Sequence, residues 1–263
     1  MGEAFVLRSA QPHGLVVPPA LLTAKRPTQL CPPGWFPPDV AKLGTPCDQP
    51  EACAAASFSD GMGGDGALKL YVVRHAQVAV QPHVRPEEWQ LSEEGIAAAQ
   101  MLARRSEWAD VELAAVYHSP QRKTAQTAAA ISGVLGIPAL ADEDLSELRM
   151  DCGFLGTAEF ERRVGRYLEG GRDPAFEDYG RAQERVVGCV RRILSANGDG
   201  SIAIVSHGRI LTVLFSALCG VRLGSSEWRS IRMPDLSVVD LDEEVVTQGF
   251  FAGRRIRAAV VRG

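Results

Sequence analysis

Three short runs in this chain end in groups suited to holding an anion. LKLYVVRHAQ, residues 68–77, is a β-branched apolar run that closes on Arg74 and His75, where a turn residue would ordinarily stand. LAAVYHSP delivers His118 and Ser119 just ahead of Arg122 and Lys123, and SIAIVSHG delivers Ser206, His207 and Gly208. One histidine after a strand is ordinary; three polar strand ends are not. If the strands run parallel in one sheet, all these groups gather beyond its carboxyl edge, where open α/β sheets bind ligands.

The surrounding pattern predicts such a sheet. Strands are expected at 68–73, 113–119 and 201–206, with β-rich pieces at 236–241, 245–250 and 256–261. Ser92 caps a helix over EEGIAAAQMLARR, Pro120 opens and Gly136 closes a second helix, and further helices are expected over 180–195 and from Arg209 to Cys219. Residues 151–176 read as irregular with one short helix. Strands and helices in alternation predict an α/β three-layer sandwich, a mostly parallel sheet with helices on both faces. Residues 1–66 differ: CPPGWFPPD, GTPCDQP and GMGGDG interrupt any regular element, so a poorly ordered, Pro/Gly-rich leader is expected ahead of a domain over 67–263. Gly61, Gly63 and Gly66 satisfy G-x-G-x-x-G but precede a strand instead of following one, which fails the dinucleotide test. Met62 is a second possible start of the product.

Composition narrows the classes. The 263 residues are 46% hydrophobic and 23% charged with a net charge of −4, ordinary for a soluble globular protein and without the basic field that nucleic acid demands. Arginine far outnumbers lysine and can cluster locally around an anion. Six scattered cysteines show neither C-x-x-C nor zinc-ligand spacing, so no metal and a reducing cytoplasm are expected. Neither a membrane span nor a secretion signal is read. There is no Walker motif, and Ile204 stands where a G-x-S-x-G elbow would need its first glycine.

Taken in order, these blocks resemble the histidine phosphatase superfamily, whose fold is called phosphoglycerate mutase-like. The family's R-H-G is matched by Arg74-His75-Ala76. Its leucine, Ser/Thr, glycine and Gln block is similar to LSEEGIAAAQ, Leu91 to Gln100, and its S-P-x-x-R-A-x-Q-T-A to SPQRKTAQTA, Ser119 to Ala128. L-x-E is matched by Leu145-Ser146-Glu147 and S-H-G by Ser206-His207-Gly208. The resemblance spans residues 68–261 and leaves the leader uncovered. Two departures stand out. Ala76 replaces a glycine, which a φ below zero would tolerate. Lys123 stands where the family has its second phosphate-binding arginine, with Arg122 one step earlier, and a lysine keeps the charge but loses the planar fork.

A phosphomonoester resists attack because its oxygens are negative, so a catalyst must neutralise that charge and supply a neutral nucleophile. The resemblance implies that His75 attacks phosphorus, that Arg74, Lys123 or Arg122, and His207 gather the phosphate oxygens, and that Glu147 is the general acid, with Asp144 or Asp151 as alternatives. It implies a phosphoric monoester hydrolase with no cofactor, acting on a small phosphorylated metabolite. A phosphoglycerate-type mutase, a protein phosphohistidine phosphatase and a non-catalytic phosphate-binding module are the alternatives. His118 has no family role and reads as structural. The loop 77–90 and the segment 150–180, with Arg85, Trp89, Arg149, Phe154, Arg162, Arg166 and Tyr167, are expected to roof the pocket. Nothing in the sequence fixes an oligomeric state.

Overall fold

A computed structural model describes residues 67–108 and 111–262. The expected leader, its glycine run and Met62 lie outside the described residues. Six strands form one sheet in the order β3-β2-β4-β1-β5-β6, with β1 at Lys69–Arg74, β2 at Leu113–His118, β3 at Ala139–Ala141, β4 at Ser201–Ser206, β5 at Asp235–Asp240 and β6 at Val245–Gln248. The four strands from β3 to β1 pair parallel, whereas β5 and β6 join antiparallel beside β1.

Alternation along the central strands explains the three layers. Leu70 and Val72 of β1, with Ile202 and Ile204 of β4, face one side and pack with buried residues of α3 (Thr157–Leu168), α4 (Tyr179–Asn197) and α5 (Gly208–Cys219). Tyr71, Val73, Ala203 and Val205 face the other and pack with Leu102 of α1 (Glu93–Leu102) and with Ala128 and Ile131 of α2 (Arg122–Leu135). Each large side chain so buried contributes about 1.5–3 kcal/mol, which is why near-continuous apolar runs form two-sided strands here.

The helices start and stop where the sequence supplies the means. Ser92 Oγ accepts from Gly95 N at 3.0 Å, capping α1, and Gly136 closes α2 in the left-handed region at φ 69°. Two expectations are corrected and one helix is added. Thr157–Leu168 is a full twelve-residue helix, α3, whose Val164, Tyr167 and Leu168 are buried. A further helix, α6, spans Ser225–Ser230. The last β-rich piece is instead a short helix, α7 (Ala259–Arg262), with Val261 buried in the core. Among the described residues no helix is long and apolar enough to cross a membrane.

Candidate active site

Register brings the polar strand ends together. Arg74 at the end of β1 lies opposite Ser206 at the end of β4, and His118 of β2 lies opposite Val205. Beyond the ladder, His75 N donates to Ser206 O at 3.0 Å and Ser119 N donates to Val205 O at 3.1 Å, so each chain leaves the sheet at the same edge. The short motifs then tie one another in place. Thr127 Oγ1 accepts from Ala76 N at 3.1 Å, Gln126 Oε1 accepts from Leu91 N at 2.8 Å, and Ser206 Oγ donates to Leu145 O at 2.6 Å. From behind, Arg185 of α4 donates to Asp144 O and Ser146 O, fixing the turn that carries Glu147. Ala76 is absent from the residues with positive φ, so the missing glycine costs no backbone strain.

His75 is buried, 7% exposed, and its ring stands edge-on to that of His207 with centroids 5.1 Å apart. His75 Nδ1 lies 2.7 Å from Ala76 O. A carbonyl can only accept, so Nδ1 carries the proton and Nε2 keeps the lone pair. Burial pushes the imidazole down to about 3, with the cations Lys123 and Arg74 adding to it and the Ala76 carbonyl opposing. The ring is therefore neutral at physiological pH. His207 is fully buried, its Nε2 is 2.9 Å from Ser119 Oγ, and burial followed by the charges around it holds it well below its ordinary value.

Two nitrogens in this cluster, Arg74 Nε and His207 Nδ1, are buried and have no hydrogen-bond partner within the protein. Such groups cost free energy unless they find a partner, and both sit at the N-terminal end of α5. Arg74 Nη1 donates to Ile231 O, and the guanidinium crosses directly over Gly208. A Cβ there would lie 2.8 Å from Arg74 Cζ, which gives the last motif glycine its reason.

Lys123 is buried, 6% exposed, while Arg122 beside it is exposed. Lys123 Nζ donates to Pro86 O at 2.7 Å and sits 5.8 Å from the centroid of the Trp89 ring. Burial lowers the ammonium to about 8, with Glu147 opposing and Arg209 reinforcing. Of the two candidate cations, Lys123 is the buried one, and its charge acts on both histidines.

Glu147 reaches the same cluster in an unexpected way. Its Oε1 accepts from Leu148 N at 3.0 Å and Ile210 N at 2.9 Å, and Oε2 lies 3.1 Å from Arg209 Nε. The carboxylate thus caps α5 and pairs with a residue the motif reading missed; the signal available was the arginine following S-H-G. Arg209 is itself held, stacked at 5.3 Å over Phe160 with Nη1 against Met150 Sδ. Burial alone would push Glu147 up, but Arg209 and the two backbone N–H groups outweigh it and hold the carboxyl below its usual range. With Arg209→Ala, burial should prevail and Glu147 should titrate above the ordinary carboxyl value. Carbon-13 NMR of labelled glutamate checks this, and an unmoved titration would show that the ion pair does not set the charge.

Other expected residues lie elsewhere. Asp144 pairs with Arg192, and Asp151 is exposed. His118 Nδ1 bonds its neighbour's carbonyl, Ser119 O, and the ring is half-buried. Of the expected roof, Trp89 and Phe154 meet with centroids 6.5 Å apart. Tyr167 is buried in the core against Phe176, and Arg162 and Arg166 line a cavity of about 450 Å³ that shares no residue with the His75 cluster. No group of three His, Cys, Asp or Glu able to hold a metal ion occurs among the described residues.

The family profile of the histidine phosphatase superfamily (branch 1) matches residues 70–248. Among solved structures, YhfR of Bacillus stearothermophilus is similar at 22% identity and a TM-score of 0.55, covering 74% of this chain and 97% of that one. A phosphoserine phosphatase mutant from Entamoeba histolytica, solved with phosphoserine, is similar at 16% identity and a TM-score of 0.55, over 70% of this chain and 96% of its own. A phosphoglycerate mutase from Bacillus anthracis shares 16% identity over 74% of this chain and 95% of its own, with a TM-score of 0.53. No curated protein sequence matches. At these identities the structures show a common fold, and the match over residues 70–248, with the five motif blocks inside it, shows that this chain belongs to the histidine phosphatase superfamily.

Proposed function

We propose that this protein is a metal-independent phosphomonoesterase that works through a phosphohistidine on His75. The observation that carries the reading is a neutral, buried imidazole with its lone pair on Nε2, set among Arg74, Lys123 and His207, two of whose buried nitrogens have no hydrogen-bond partner in the protein. A phosphoryl group seated there would accept from Arg74 Nε, from the ammonium of Lys123 and, with the Ser119 hydroxyl donating to Nε2, from His207 Nδ1–H, and the same donors would hold the charge of the transition state. His75 Nε2 forms the N–P bond as the P–O bond to the alcohol breaks. The alkoxide needs a proton, and Glu147 is the group we assign to supply it. In the free protein Glu147 is held as a carboxylate. A phosphate dianion beside it would push the carboxyl up again, so that the proton is taken on with the substrate and passed to the leaving alkoxide. A proton is later drawn back from the water that attacks phosphorus as the Nε2–P bond breaks, releasing phosphate and the neutral imidazole.

Because the charge is neutralised by the cations Arg74 and Lys123, with His207 as a neutral hydrogen-bonding partner, release of p-nitrophenol from p-nitrophenyl phosphate should continue in EDTA. Loss of turnover restored by added Mg²⁺ or Zn²⁺ would point to a metal-assisted mechanism instead. Phosphate binding with no turnover at all would favour a binding module.

A further inference from the structure

We propose that the ion pair of Arg185 and Glu177 is the positioning device for Glu147, holding its carboxyl where it can protonate the departing alkoxide. The inference rests on the phosphomonoesterase reading and adds the residues through which its general acid is held in place.

One ion pair grips the chain on both sides of Glu147. Arg185 Nη1 donates to Asp144 O at 2.8 Å and to Ser146 O at 3.0 Å, just before the acid. Glu177 Oε2 accepts from Arg149 N at 3.2 Å, two residues after it, and Glu177 N donates to Arg149 O at 2.9 Å. The two side chains lock each other, with Arg185 Nε on Glu177 Oε1 at 3.0 Å and Nη2 on Oε2 at 2.8 Å. Leu145 O, between the two carbonyls that Arg185 holds, accepts from Ser206 Oγ, and Ser206 O accepts from His75 N. The nucleophile and the acid are thus tied to one frame.

Stability alone does not account for this arrangement. Both side chains are 9% exposed, and a buried ion pair contributes little that well-packed apolar groups of the same volume would not match. What the pair supplies is geometry. A planar guanidinium can fork onto a carboxylate and still reach two carbonyls with its remaining nitrogen, which an ammonium on a flexible stem cannot do. Among the described residues, the hydrogen bonds of these two side chains go to each other and to residues 144–149. Their influence on the reaction therefore passes through the segment that carries Glu147. A general acid must stand within hydrogen-bond reach of the leaving oxygen, and a displacement of about 1 Å can cost about a hundredfold in rate.

Leaving groups separate positioning from a merely structural role. Ethyl phosphate departs as a strongly basic alkoxide that needs the proton, whereas p-nitrophenolate is stable as an anion and leaves without it. Since kcat/KM covers the steps through release of the alcohol, it reads the acid and not the later hydrolysis of phosphohistidine. Arg185→Lys should lower kcat/KM for ethyl phosphate about ten- to a hundredfold and change that for p-nitrophenyl phosphate little. On a Glu147→Gln background the same substitution should add nothing, because no acid is left to position. Arg185→Met combined with Glu177→Leu removes both charges together and leaves none buried and unpaired, so it should fold and show the same selective loss even where Arg185→Lys does not fold. Undiminished turnover of ethyl phosphate, equal losses on the two esters, or a loss that persists on the Glu147→Gln background would overturn the clamp while leaving the phosphomonoesterase reading intact. If Glu147→Gln itself costs both esters equally, the acid assignment falls and the clamp with it. No turnover of either ester by the parent protein, with no phosphate trapped on His75, would overturn the phosphomonoesterase reading as well.

Discussion

His75→Ala should lower turnover by at least about ten-thousand-fold, the scale on which loss of a nucleophile is felt. Acid-quenched protein given a labelled phosphate donor should carry the label only when His75 is present; label retained by the variant would place the nucleophile elsewhere. The same substitution has a second consequence, because this strand-end histidine is buried where an exposed position would be the simple expectation. Its folded value near 3 lies below the ordinary 6.5. The unfolded chain therefore binds the proton first, and stability is full above pH ~6.5 and lost progressively as pH falls toward 3. At pH 5 the loss from this one group is about 2 kcal/mol by linkage. His75→Ala forms a small cavity and is less stable at pH 7, yet it should lose less than the parent between pH 7 and pH 5. Urea unfolding at the two pH values reads the difference.

How much of this was legible can be judged element by element. The central strands and their shared edge follow from apolar runs that end in polar residues, and the parallel order follows from intervening helices. Helix α3 was also within reach, since Val164, Tyr167 and Leu168 recur at helical spacing. The segment 151–176 reads from the sequence as irregular with one short helix, yet Gly165 sits inside a twelve-residue helix where α6 approaches closely at Ser225. Its role is packing, and spacing along the chain does not display packing between distant segments. The C-terminal piece shows the reverse error: β-branched residues suggested a strand, but contacts of α7 with α4 and α5 decide the conformation.

In the site, types were legible and partners were not. Arg74, His75, Lys123, Glu147 and His207 stand in motifs, so their convergence could be expected. That Glu147 caps α5 and pairs with Arg209 depends on an approach between residues 62 positions apart. The choice between Arg122 and Lys123 likewise depends on which side of the first turn of α2 faces the sheet edge. One step along a helix turns a side chain by about 100°, so the two neighbours cannot both point inward.

Lys123→Ala should lower kcat/KM by roughly ten- to a thousandfold, on the scale of about 1.5–4 kcal/mol for a charge-assisted donor to the transition state, whereas Arg122→Ala should change it little. The pH dependence makes the assignment sharper. The buried ammonium is lowered to about 8, so it holds its proton at pH 7 and loses it as pH rises through that value. Since kcat/KM reports groups of the free enzyme, it should fall above pH ~8 in the parent protein. In Lys123→Arg the guanidinium stays charged throughout and offers two N–H groups to the phosphate oxygens, so activity at pH 7 should be kept or improved and the alkaline fall should disappear. An alkaline limb that survives in Lys123→Arg belongs to another group. Equal losses from Arg122→Ala and Lys123→Ala would mean that the exposed guanidinium reaches the phosphate after all. Full activity with both replaced by alanine would leave Arg74 and His207 as the phosphate-binding set and reduce the basic pair to a feature of packing.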